Sequence, residues 1–215
     1  MTPAERVRRL VEAGSVAPDE GARLLAAMSE APARSRLWLL VDPFDRFGGG
    51  TAAIAGAIIS VLGIAVSRLG VRFDGFLDLH VDRAVVPPFR VALSDQLVAW
   101  LLPAVCFWAY ARVFTRHVRL VDFVGMTGLA RLPTLIGALV LVPLMPEHLA
   151  VPPEITPALL AVALVAVVFG VANVTLLYYG FKNASGLTGA KLVGGFIGLL
   201  IGVEALSKLL LVLLT

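Results

Sequence analysis

Apolar residues in this chain come in long blocks, with neither the strict alternation of strands nor the narrow stripe of surface helices. Five blocks stand out: Thr51–Leu69, Leu93–Phe114, Val121–Leu144, Pro157–Tyr179 and Ala190–Leu214. Each is close to the roughly 20 residues a helix needs to cross a bilayer core. The pattern predicts an all-α polytopic transmembrane bundle of five spans over residues 51–215. Arg131 and Pro133 interrupt the third block. Without the part before them only about 13 apolar residues remain, too few to cross. The five-span reading therefore requires the third span to pass through Arg131, with that residue facing protein.

Residues 1–33 differ in kind. Thr2, Pro3 and Glu5 form a capping box with proline at the first helical position, and Val7, Leu10 and Val11 recur on one helical face. Gly14 and Ser15 stop that helix, Pro18, Asp19 and Glu20 start a second, and Leu24, Leu25 and Met28 give it an apolar stripe. A helical hairpin of this size buries little area, so it is expected to pack on the membrane domain, a second copy or a partner. Residues 34–50 read as a linker. Its apolar patch Leu37-Trp38-Leu39-Leu40-Val41 is too short to span and suits the membrane interface.

Composition fixes the solvent. Hydrophobic residues make up 59% of the chain and charged residues 15%, far from the balance of a soluble domain. Lipid is the implied surrounding. The net charge of +3 is modest and basic residues sit at block edges, which argues against nucleic acid as a partner. The first thirty residues lack a signal-peptide pattern, so the block from Thr51 is expected to act as an uncleaved signal-anchor. Cys106, the single cysteine, lies in an apolar block and excludes an intrachain disulfide.

Arginine and lysine set the orientation. Seven arginines precede Gly50, Arg112, Arg116 and Arg119 follow the second block, and Lys182 and Lys191 flank the fourth connection. The opposite side holds Arg68, Arg72, Arg83 and Arg90 in one loop and none between Met145 and Pro157. The bias predicts a cytoplasmic N-terminus and an external C-terminus, in the inner (cytoplasmic) membrane.

Candidate chemistry is sparse. Arg131 and Glu204 are the ionisable residues that stand out within the spans, where each needs a partner or water. An Arg131–Glu204 pair is within reach of the arginine side chain. Lys208, four residues after Glu204, offers a local alternative. Asn173 and Thr175 are expected to hydrogen-bond between helices. Gly194, Gly198 and Gly202 repeat every fourth residue in the last span, and Ala52, Gly56 and Ser60 do so in the first. Such faces admit close helix approach, either within the bundle or against another membrane protein or a second copy. In the loop after the first span, Asp74, Asp78 and Asp82 beside Phe73, Leu77 and Val81 predict an amphipathic helix lying on the membrane. Asp78, His80 and Asp82 make a weak cation set. His117 and His148 read as solvated loop-edge residues. No catalytic, cofactor-binding or metal motif emerges.

Three segments carry a family resemblance: Asp42-Pro43-Phe44, the run GMTGLARLPTLIGALV from Gly125 to Val140, and YYGFKNASGLTGAKLVGG from Tyr178 to Gly195. They resemble the bacterial form of the Yip (Ypt-interacting protein) family over residues 37–215. The resemblance implies five spans, a cytoplasmic N-terminus and a non-enzymatic role as scaffold or accessory subunit. Eukaryotic members bind lipidated GTPases, and no feature of that binding is visible here. Arg131 is atypical for the third-span element. The segment ERVRRLVEAGSVAPDEGARLLAAM is similar to short C-terminal-domain-like two-helix modules of LiaX and YvlB type proteins. Three functions follow as expectations: a scaffold or accessory subunit, a small permease or channel component, and, last, a lipid-acting enzyme.

Overall fold

The computed structural model describes residues 3–30, 36–145 and 155–214. The expectations that rest on Thr2, on residues 31–35 and on residues 146–154, His148 among them, lie outside these. The chain divides into two compact units, Met1–Trp38 and Leu39–Thr215.

The first unit is a helical hairpin. Helix α1 (Pro3–Glu12) ends at a turn through Gly14, and α2 (Pro18–Glu30) returns against it. Gly21 of α2 lies directly on the Val11 side chain, so the two helices meet where the second has no side chain.

The second unit is the bundle. It contains α3 (Gly49–Ser67), α4 (Phe89–Phe114), α5 (Leu120–Ala130), α6 (Leu132–Leu141), α7 (Pro157–Ser185) and α8 (Gly189–Leu214). Helices α5 and α6, with the 3-10 turn Val142–Leu144, act as one stretch, so five segments among the described residues are long and apolar enough to cross a membrane. The chain is an integral, multi-pass membrane protein with an all-α bundle. The break between α5 and α6 falls at Arg131, immediately before Leu132 and Pro133. Proline suits the first turn of a helix and cannot continue the one before it.

The core is aromatic. Phe107 of α4 stacks edge-on to Phe181 of α7 at 5.0 Å between centroids and lies 6.0 Å from Phe196 of α8. Phe123 of α5 closes the group against Phe181. Four helices are thereby joined through one cluster, by dispersion and ring geometry, because lipid supplies no hydrophobic contrast to drive them together.

The loop after α3 departs from the expected surface helix. Val71–Arg72 (β1) pairs antiparallel with His80–Val81 (β2), and the tip turns into the bundle. Gly70 starts this hairpin at a φ of +81°, where a Cβ would also strike the Asp82 backbone; glycine is required on both counts. Val71, Phe73 and Phe76 are buried. The acidic spacing of four misled because the apolar residues among them serve a hairpin's inner surface instead of a helix stripe.

Candidate functional site

The hairpin tip depends on α8 for its hydrogen bonds. The Phe76 amide donates to Ser207 Oγ at 2.9 Å, and the Leu77 amide donates to Glu204 Oε2 at 2.8 Å. Non-helical backbone inside a membrane bundle persists only where protein or water satisfies it. Glu204 and Ser207 do so here.

Glu204 therefore does not meet Arg131. Its Oε1 lies 3.7 Å from Lys208 Nζ, and Lys208 also binds Asp78 of the hairpin. That bond holds the Asp78 carboxyl below its usual range. Asp82 turns away to accept from the Ala84 amide at 3.0 Å. Asp78, His80 and Asp82 thus do not converge as a cation set.

Arg131 faces protein and is 5% exposed. One guanidinium nitrogen donates to Ser60 Oγ and to the Gln96 carbonyl, both at 3.3 Å, and the Phe73 ring lies 5.7 Å away. Ser60 is thereby a buried polar partner as well as a member of the small-residue face. No carboxylate joins this set among the described residues.

Asp95 is a buried, ion-paired residue that the sequence pattern does not single out. It is fully buried in α4 and accepts two hydrogen bonds from Arg72 of the hairpin, each 3.2 Å. This bidentate contact raises the Arg72 pKa and ties the hairpin to α4. An aspartate within the second apolar block was the available signal, under the same cost argument that singled out Arg131 and Glu204.

The two small-residue faces separate. Ala52 and Gly56 of α3 pack on Gly125 and Gly128 of α5, and a Cβ on Gly56 would come 2.7 Å from the Gly128 Cα. That face is consumed inside the bundle. On α8, a Cβ at Gly194, Gly198 or Gly202 would meet nothing within 4 Å. The glycine that packs internally is Gly195, which lies against the Tyr110 ring. Between α4 and α8, Gly194, Gly195 and Gly198 line a shallow groove of about 450 Å³ with Tyr110, Ala190, Lys191 and Leu199.

Asn173 and Thr175 also depart from expectation. Thr175 donates to Val171 of its own helix at 2.7 Å. Asn173 is 3% exposed, yet its Oδ1 has no hydrogen-bond partner among the described residues.

The segments that carry the Yip resemblance meet at the opposite end of the bundle from the hairpin. Asn183 donates to Asp42 Oδ1 at 2.8 Å. Gly180 leaves room for the Phe44 ring and for Met126, which a Cβ there would approach within 3.0 Å. Lys182 and Lys191 lie over the Tyr179 and Phe114 rings.

No family model, curated protein or solved structure gives a significant match to this chain.

Proposed function

We propose that the protein is a non-enzymatic scaffold or accessory subunit of a membrane complex, in which the glycine face of α8 receives a partner's transmembrane helix. The observation that carries this reading is the open space over Gly194, Gly198 and Gly202. Small residues every fourth position let two backbones approach closely, and in lipid such packing is a main source of helix association. On α3 the equivalent face already has α5 against it. On α8 the face is free, and the groove beside it is ready-made for a second helix.

Membership of the Yip family, with a cytoplasmic N-terminus in the inner membrane, belongs to the same proposal. The distribution of arginine and lysine supports the cytoplasmic N-terminus, and the family reading rests on the resemblance of the three segments, two of which meet where Asp42 and Phe44 contact Asn183 and Gly180.

A permease component is the second reading. Arg131 favours it, as a buried cation whose described partners are all neutral. Against it, Arg131, Asn173 and Glu204 each face different surroundings. Arg131 is enclosed by Ser60, Gln96 and Phe73, whereas Glu204 serves the hairpin.

Purification from the host membrane in mild detergent, followed by mass spectrometry and reconstitution, tests the proposal. A stoichiometric membrane companion, lost on Gly198→Leu, is expected. A chain that purifies alone and moves a solute across a vesicle membrane overturns the accessory role in favour of the permease.

A further inference from the structure

Helix α7 is poorly covered over its first half. Between Pro157 and Ala172 none of its residues is fully buried, while Asn173, one step further, is. A cleft of about 310 Å³ opens there between α6, α7 and the hairpin. Its walls are mostly apolar, built by Leu77 and Leu79 of the hairpin, Leu141 of α6, and Val162 and Phe169 of α7, with Thr134 of α6 and Asp78 of the hairpin as polar neighbours. Asn173 lines it, and the Asn173 Oδ1 has no partner among the described residues.

This atom is costly as it stands. Asn173 lies roughly 24 Å along the helix from Pro157 and roughly 18 Å from Ser185, near the middle of the span. A buried carbonyl oxygen without a donor at that depth loses its hydration and gains nothing in return, and lipid tails cannot supply the donor. A ligand that brings one removes the cost. The volume is at the lower end of small-molecule sites, which have apolar walls and a few placed polar groups.

We infer that the cleft is a binding site for a neutral lipophilic alcohol, whose hydroxyl donates to Asn173 Oδ1 while its apolar body lies against α6, α7 and the hairpin. Each part follows from a feature of the site. The donor answers the unpartnered oxygen. Neutrality follows from depth, since Asn173 carries no charge to balance an ion. Asp78, at the edge of the cleft, is already bound to Lys208, so it does not recruit a cation. The apolar body matches the walls. Entry is from the leaflet on the hairpin side, across the exposed first half of α7. This site is distinct from the α8 glycine face and stands or falls without it.

The test uses the full chain in phosphatidylcholine nanodiscs, a lipid without a hydroxyl donor. A photoactivatable diazirine alkanol is cross-linked, and the modified residues are mapped. Labelling should concentrate on the cleft residues of α6 and α7. Competition by 1-decanol should exceed that by a methyl ether of equal length about tenfold, the value of one satisfied hydrogen bond. Asn173→Leu should bring that ratio near one while keeping the label in the cleft. Ala166→Phe, which fills the cleft and leaves Asn173 in place, should remove the label even if Asn173→Leu fails to fold. Equal competition by alcohol and ether in the wild type would mean that the cleft holds only an acyl chain, and would overturn the inference. So would labelling spread evenly over the lipid-facing helices, or a preference for the ether.

Discussion

The first and last spans carry the same spacing of small side chains, and their surroundings differ. On α3, Ala52 and Gly56 are closed by Gly125 and Gly128 of α5, with backbones so near that Gly56 and Gly128 each exclude a side chain from the other. On α8, Gly194, Gly198 and Gly202 look onto open space. A four-residue repeat of small residues therefore reports the capacity for close approach. It does not say which helix approaches. The neighbours decide that: Ser60, one turn further along the α3 face, receives Arg131, whereas the buried side of α8 is set one residue away, at Gly195, Phe196, Val203 and Ser207.

The largest effect is expected where α3 meets α5. Gly56→Leu places a branched side chain against the α5 backbone, which cannot yield as a flexible side chain would. A loss of about 3 kcal/mol is expected, at the upper end for overpacking, read as a fall in thermal unfolding midpoint in detergent. A variant that unfolds like the wild type would show that α3 and α5 are not packed as described.

Next in size is the contact that holds the hairpin to α4. Asp95→Asn removes the charge that Arg72 grips. Arg72 is 37% exposed and can reach solvent, so the cost should be about 2 kcal/mol, below that of breaking a fully buried pair. Proteolytic cleavage within residues 68–88 should become faster in the same variant. An unchanged cleavage rate would remove Asp95 from the account of how the hairpin is held.

A smaller effect concerns the edge of α8. Asp78 has a lowered folded pKa because Lys208 donates to it. A carboxyl of this kind stabilises the fold above its unfolded value and loses that contribution as pH falls through the lowered folded value. The stabilisation should be constant from neutral pH to about the ordinary 3.8 and decline below it. Both groups are partly exposed, so the difference from Asp78→Asn should stay under about 1 kcal/mol at neutral pH. Unfolding midpoints measured from pH 7 to 3 should converge for the two proteins at the acid end. Parallel curves would mean that Asp78 and Lys208 contribute nothing through their charges.

How much of this was legible depended on the range of each interaction. Span positions follow from run length, a local property. The structure's first span, Gly49–Ser67, lies two residues from the expected Thr51–Leu69, and its fourth span continues through Ser185. The break at Arg131 was readable from Pro133. Its partners were not, because Ser60 and Gln96 lie 71 and 35 residues away. The hairpin was misread for the same reason: what makes it fold inward is Ser207 and Glu204, more than 120 residues distant. A spacing of four between aspartates carries no record of them. Asp95 was legible as a buried charge within an apolar block; Arg72 as its partner was not. The glycine repeat on α8 could be seen, but the offset of one residue that leaves it open depends on where Tyr110 packs.

Whether the α8 face receives another helix is read most directly from the mass of the detergent-extracted assembly for the wild type and for Gly198→Leu, at matched folded yield. With open space above Gly198, the leucine should leave the unfolding midpoint unchanged, and the assembly should shrink to the single chain. An assembly of unchanged mass, or a leucine variant that unfolds as early as Gly56→Leu, would contradict that role for the face.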